Sequence, residues 1–149
     1  MIQRIQSLFL LVAAGAIFAQ FGLPYLSAAT GNPAQTMPQL ADGALNPMDN
    51  YGLLGLTLLD GLVSLAAIFL YQNRPTQSRI TMGSQLLSLA LLILAGVIAK
   101  LTMDNLPEGG VTTYGLGWAL PIIAAITQWL AMRSIRHDEQ LVRSMDRLR

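Results

Sequence analysis

Residues 51–79 read YGLLGLTLLDGLVSLAAIFLYQNRPTQSR, and the reading of this stretch decides the fold. From Tyr51 to Tyr71 it is an apolar run of the length a helix needs to cross about 30 Å of hydrocarbon. One charge interrupts the run, Asp60, and a tyrosine stands at each end, where a membrane–water boundary favours aromatic rings. A chain crossing lipid must satisfy its own backbone N–H and C=O groups, so the run reads as a helix rather than a strand. It breaks into Gln72–Arg79, a tight polar hairpin with Arg74 and Arg79, where Pro75 blocks helix continuation.

Outward from this segment lie three more apolar runs, Ser7–Tyr25, Ile80–Leu101 and Tyr114–Met132. Composition agrees with four spans: 53% of residues are hydrophobic and 11% charged, with mean hydropathy +0.50. Soluble domains carry roughly a quarter charged residues. The spans at about 7–25, 51–71, 80–101 and 114–132 leave no room for a separate soluble domain, so residues 1–149 read as one integral membrane unit. The fold class expected is an all-α membrane protein, an antiparallel four-transmembrane-helix bundle.

Charge distribution orients it. Arg4, Arg74, Arg79, Arg133, Arg136, Arg143, Arg147 and Arg149 fall on one side of the spans. The other side holds Asp42, Asp49, Asp104 and Glu108, with Lys100 at its border. The positive-inside bias places both termini in the cytoplasm. The first span also has features of a secretory signal, with Ser27-Ala28-Ala29 as a small-residue cleavage site. That site is weak, and the span is read as retained.

The outer segment from Leu26 to Asn50 is rich in turn residues, Pro33, Pro38, Pro47, Gly31, Asn32, Gly43 and Asn46. It reads as a flexible connector with too few apolar residues to pack a core. Within the spans Asp60 is the costliest polar group, about 2.5–3.5 kcal/mol at a helix centre on insertion scales. Thr57 and Ser64 share its face at i−3 and i+4, and Gly61 beside them would let another backbone approach. Two readings follow: a proton- or ion-coupled site able to cycle between charged and neutral forms, or a hydrogen-bonded residue fixing helix register with Gln20, Thr57 or Gln128. Lys100 either pairs with Asp60 or snorkels to the headgroups. Ser84/Ser88, Ala95/Ala99, Gly15/Ala19 and Gly115/Ala119 are small-residue spacings of the kind that let helices pack closely. Pro121 is expected to kink the fourth helix at the carbonyl of Gly117.

The tail, residues 133–149, reads RSIRHDEQLVRSMDRLR. Ile135, Leu141, Val142, Met145 and Leu148 fall largely on one stripe, and Glu139–Arg143 and Arg143–Asp146 are helical ion pairs. The fourth span should therefore continue as a cytoplasmic amphipathic helix. It lies on anionic headgroups or docks a partner through Arg136, Asp138, Glu139, Arg143, Asp146 and Arg147. The absence of cysteine excludes disulfides and thiolate chemistry, and the lone His137 is a poor metal ligand. No phosphate loop, nucleophile elbow or zinc helix is present, so no enzyme, cofactor or metal is expected. The arginines flank a membrane without an aromatic stacking platform, which gives no support for nucleic-acid binding.

The opening MIQRIQ, the segment IFLYQNRPTQ and the closing LPIIAAITQWLAMRSIRHDEQLVRSMDRLR resemble the family called domain of unknown function 4293. These are small four-helix inner-membrane proteins of Bacteroidota-type bacteria. The resemblance spans essentially the whole chain and is most specific at Asp138–Arg149. It implies an inner-membrane location and the same four-span topology, and it transfers no activity to any residue. The expected role is a non-enzymatic accessory or scaffold subunit whose cytoplasmic ends dock a larger membrane complex, a second copy or the membrane surface. The alternative is a small proton- or ion-coupled transporter centred on Asp60.

Overall fold

A computed structural model describes residues 2–146, with side-chain surroundings for residues 5–140. The described residues form four α-helices, α1 (Ile2–Ala19), α2 (Tyr51–Phe69), α3 (Arg74–Asp104) and α4 (Ala119–Asp146), in a ring in which neighbours in the chain pack together and α4 closes back on α1. Successive helices run antiparallel, α2 and α3 through a short turn and the other pairs through longer connections. One end of the bundle holds the start of α1, the α2–α3 turn and the end of α4; the other end carries the two long connections. Among the described residues, three helical stretches are long and apolar enough to cross a membrane: α2, α3 and Leu116–Gln140. The apolar part of α1, Ile5–Ala19, is shorter.

Capping chemistry fixes where the helices begin. Asn50 accepts from the backbone N–H groups of Gly52 (2.9 Å) and Leu53 (3.3 Å), which α2 cannot satisfy internally. Asn73 does the same for α3 through Thr76 (3.3 Å). Pro75 therefore sits in the first turn of α3, where its missing N–H costs no bond, and the helix starts at Arg74 rather than at residue 80. Pro121 likewise lies in the first turn of α4, which begins at Ala119 instead of 114, so the expected interior kink does not arise. The first helix stops at Ala19, short of the expected residue 25. The fourth continues without a break through residues 133–146, as the periodicity of the tail indicated.

The segment 26–50 is not the loose connector its composition suggested. Leu26–Ser27 (β1) pairs antiparallel with Ala44–Leu45 (β2) and with Thr113–Tyr114 (β3), giving strand order β2-β1-β3. Leu26, Ala34, Leu40 and Leu45 are fully buried with Tyr25, Leu53, Leu91 and Ala95. The apolar residues of the segment are too few to pack on each other. They are enough to form a lid over the end of the bundle, whose helices supply the rest of the core. Polar bonds lock the lid down: Thr102 Oγ1 donates to Gln39 Oε1 (2.7 Å) and Trp118 Nε1 to the carbonyl of Tyr25 (2.8 Å). A Cβ on Gly117 would lie 2.5 Å from the carbonyl oxygen of Leu23, so the two connections touch through bare backbone.

The small-residue spacings divide by role. Ala95 and Ala99 are buried in the helix–lid core, whereas Gly15 faces open space. Gly61 is a close-approach site, but what meets it is the ring of Phe18 on α1 and not another backbone; a Cβ there would come within 2.5 Å of Phe18 Cζ.

Candidate functional site

Asp60 lies halfway along α2 and is fully buried, as are Thr57 and Ser64 on the same stripe. Two neighbouring helices bring donors to it. Ser84 and Ser88, one turn apart on α3, donate to Asp60 Oδ1 and Oδ2 respectively. Gln128, on α4, brings its Nε2, with two hydrogens to donate, within reach of Asp60 Oδ1 (3.2 Å), Ser64 Oγ (3.1 Å) and Ser84 Oγ (2.8 Å). Ser64 and Ser84 touch at 2.7 Å. The result is a polar knot joining α2, α3 and α4, every member of which is fully buried. Groups buried this way are tolerated only when hydrogen-bonded, and the knot meets that need for all but Thr57, whose hydroxyl has no partner among the described residues.

The knot can hold two protonation states. Ser88 Oγ also lies 3.0 Å from Gln128 Oε1. A hydroxyl has one hydrogen, so it donates to the carboxylate or to the amide oxygen, not to both. With Asp60 charged, Ser88 donates to it and Gln128 Oε1 loses its donor. With Asp60 neutral, the acid O–H donates to Ser88 and Ser88 donates on to Gln128. The side-chain oxygens touch one another directly, so a cation seated among them would first have to part these bonds.

Other polar residues fall elsewhere. Lys100 is exposed, twelve residues beyond Ser88 on α3, and Asp60 takes its bonds from Ser84, Ser88 and Gln128 instead. Gln20 accepts from the Tyr25 hydroxyl beneath the lid. Ser84 and Ser88, which the sequence offered as packing residues, turn out to be the principal donors to Asp60. Hairpin symmetry carried the signal: Asn73 in the α2–α3 turn is equidistant from Asp60 and residue 86, midway between the two serines.

At the opposite end, Gln6 on α1 donates Nε2 to Asp138 Oδ2 on α4 (2.5 Å), with both side chains buried. Asp138 thus ties α4 to α1 rather than facing outward, and its Oδ1 has no partner among the described residues. Arg136 and Glu139 point the other way, into a cavity of about 380 Å³ shared with Pro75, Ser78, Arg79 and Gln140. The side chains of Arg143 and Asp146, and the whole of Arg147, lie outside the described residues. Among the described residues no group of three His, Cys, Asp or Glu side chains could hold a metal ion.

A family profile described as Domain of unknown function (DUF4293) matches residues 2–148. No curated protein and no solved structure matches the chain.

Proposed function

The chain belongs to the DUF4293 family, and from that premise we propose that it is a non-enzymatic accessory or scaffold protein of the inner membrane. In this reading all four helices span the bilayer, the lid faces outward, and α4 is presented on the cytoplasmic side as a docking element. One observation carries the proposal. Gln128 is level with Asp60, yet α2 ends at Phe69 while α4 runs on to Asp146. At 1.5 Å per residue α4 overhangs the end of α2 by about 13 Å. That overhang carries the charge-rich sequence on which the family resemblance is most specific. The eight arginines flanking this end, against acids at the lid end, support its cytoplasmic orientation. The buried carboxylate supports a structural rather than a catalytic core, because both its oxygens are taken up by Ser84, Ser88 and Gln128.

The test is purification from native membranes in mild detergent, followed by mass spectrometry of comigrating proteins. Truncation after Gln140 removes the distal tail and retains the Gln6–Asp138 bond. A stoichiometric partner lost on truncation is the expected result. A chain that runs alone, or only with itself, overturns the docking role.

The second reading, a proton- or ion-coupled transporter at Asp60, is favoured by the ability of the knot to accept either protonation state. It predicts that Asp60→Asn abolishes a pH- or ion-dependent phenotype while tail truncation is mild. No second acid lies within the four apolar spans, about 7–25, 51–71, 80–101 and 114–132, to pass a proton onward, which sets this reading behind the first.

A further inference from the structure

The outer edge of α4 carries a single stripe that changes character halfway along. Ile122, Ile126 and Trp129 give way to Arg133, Arg136, His137 and Gln140, at spacings of three and four residues. The apolar half forms one wall of a groove of about 260 Å³, closed on the α3 side by Gln85, Leu89 and Leu92. Trp129 also lines the next cavity, about 340 Å³, with Met132, Arg133, Arg136, His137 and Gln140. Arg136 and Gln140 in turn line the cavity that contains Arg79. The three depressions share walls, so the α3–α4 groove leads from an apolar slot to a cradle of three arginines. Glu139 is the one carboxylate among its described lining residues. The Arg133 guanidinium stands 5.6 Å over the Trp129 ring, at the junction of the two halves.

The level of these arginines is what makes the groove informative. Gln6 pairs with Asp138, so the start of α1 and this part of α4 lie at one depth. Among the described side chains of α1 there, the exposed ones are Ile5 and Leu8. On α4 they are Arg136 and His137, with Arg133 higher still, five residues from Gln128 or about 7.5 Å along the axis. The basic surface therefore climbs the α3–α4 side into a depth that is apolar on the α1 side. A cation facing hydrocarbon at that depth is costly unless it snorkels to, or is met by, an anionic group.

We infer that the α3–α4 groove binds an anionic phospholipid, with its phosphate against Arg79, Arg133 and Arg136 and an acyl chain along Leu89, Leu92, Ile122 and Ile126. Charge complementarity selects the head, and the apolar slot that opens from Trp129 selects a lipid over a soluble phosphate. Basic pockets between membrane helices take anionic headgroups in this way. The inference needs the bundle to be in a bilayer but is independent of which side the arginines face and of any docked protein.

The full chain reconstituted in phosphatidylcholine vesicles tests it, with Trp129 as reporter and the Trp129→Phe protein supplying the signal of Trp118. Phosphatidylglycerol brominated in its acyl chain should quench Trp129 about fivefold more effectively than brominated phosphatidylcholine at equal mole fraction, the factor that one basic side chain near an anionic surface confers. Arg133→Gln together with Arg136→Gln should bring the two lipids to parity. Ala125→Phe fills the slot and leaves every arginine, and it should also remove the difference. Equal quenching by both lipids in the unaltered protein overturns the inference. So does selectivity that survives Ala125→Phe, since the lipid would then be gathered by charge alone. Should the double variant fail to insert, native mass spectrometry of the unaltered protein decides: a retained phosphatidylglycerol is expected, and its absence from protein extracted in that lipid overturns the site.

Discussion

Asp60 is held by hydroxyl and amide donors from two other helices, so the effect of replacing it depends on what the replacement can accept. Asparagine reproduces the neutral pattern: its oxygen accepts from Ser84, its amide donates to Ser88, and Ser88 passes a bond to Gln128. Leucine leaves those groups short. Hydrogen bonds buried in membrane bundles average about 0.6 kcal/mol, so losing three costs about 2 kcal/mol. We expect Asp60→Asn to stay within about 1 kcal/mol of the parent, and Asp60→Leu to lose about 2, in unfolding titrations in mixed micelles. An asparagine variant as damaged as the leucine variant would mean that charge, and not bonding geometry, holds the bundle. At this scale the sequence was partly legible. One carboxyl in an apolar run marks a buried polar site, and the i−3 and i+4 spacings place Thr57 and Ser64 beside it. Ser84 and Ser88 were missed because small residues in an apolar helix look alike whether they pack or bond. Only the pairing register of the hairpin distinguishes the two.

Among the elements, the helices were legible and the lid was not. Apolar length and basic hairpins define helices from local sequence alone, with errors confined to ends, where Asn50, Asn73 and the first-turn prolines set the boundary. The lid depends on contacts between residues far apart in the chain. Leu26, Leu40 and Leu45 bury themselves on Leu53 and Leu91, which no local window can show. Its mechanism of attachment makes a prediction. Leu45→Ala should cost about 2–5 kcal/mol of lid docking. Hydrogen exchange should quicken at the amides of Tyr25, Ala28 and Gly115, whose acceptors lie in the lid, while the middle of α3 is unchanged. Uniform acceleration through α3 would mean that lid and bundle unfold as one unit. The lid also carries a pH dependence. Desolvation raises the Asp49 carboxyl above its ordinary 3.8, and the Asp42 charge adds to this, against the backbone N–H of Asn46. Between 3.8 and the folded value, the closed lid binds a proton that the open lid has released. Stability therefore falls as pH rises through that window. Exchange protection of the lid, corrected for intrinsic rates, should decline across it, and Asp49→Asn should flatten the decline.

For the whole molecule, the question is whether the bundle crosses the membrane four times. Hydropathy alone marks three helical stretches, because α1 offers only Ile5–Ala19 as an apolar segment. Packing argues for the fourth. Gln6 meets Asp138 near one end of the bundle, Ala13, Ile17 and Ala124 share a buried cluster farther up, and α1 leads directly into the lid. A helix fixed at those levels spans nearly the same depth as α2. Its outward face, Ile5, Leu8, Leu11 and Val12, is exposed and apolar, which suits lipid better than water. With no native cysteine in the chain, the topology can be read one site at a time. Thr36→Cys and Glu108→Cys, both exposed on the lid side, should react with a membrane-impermeant maleimide applied from outside intact spheroplasts. Gln72→Cys and Gln140→Cys should react only in inverted vesicles. Gln3→Cys decides the first helix: if it labels with Gln72→Cys, the chain crosses four times with both ends on one side. Labelling of Gln3→Cys together with Thr36→Cys would place α1 outside the bilayer, and its contacts with α2 and α4 could not then form across the membrane depth.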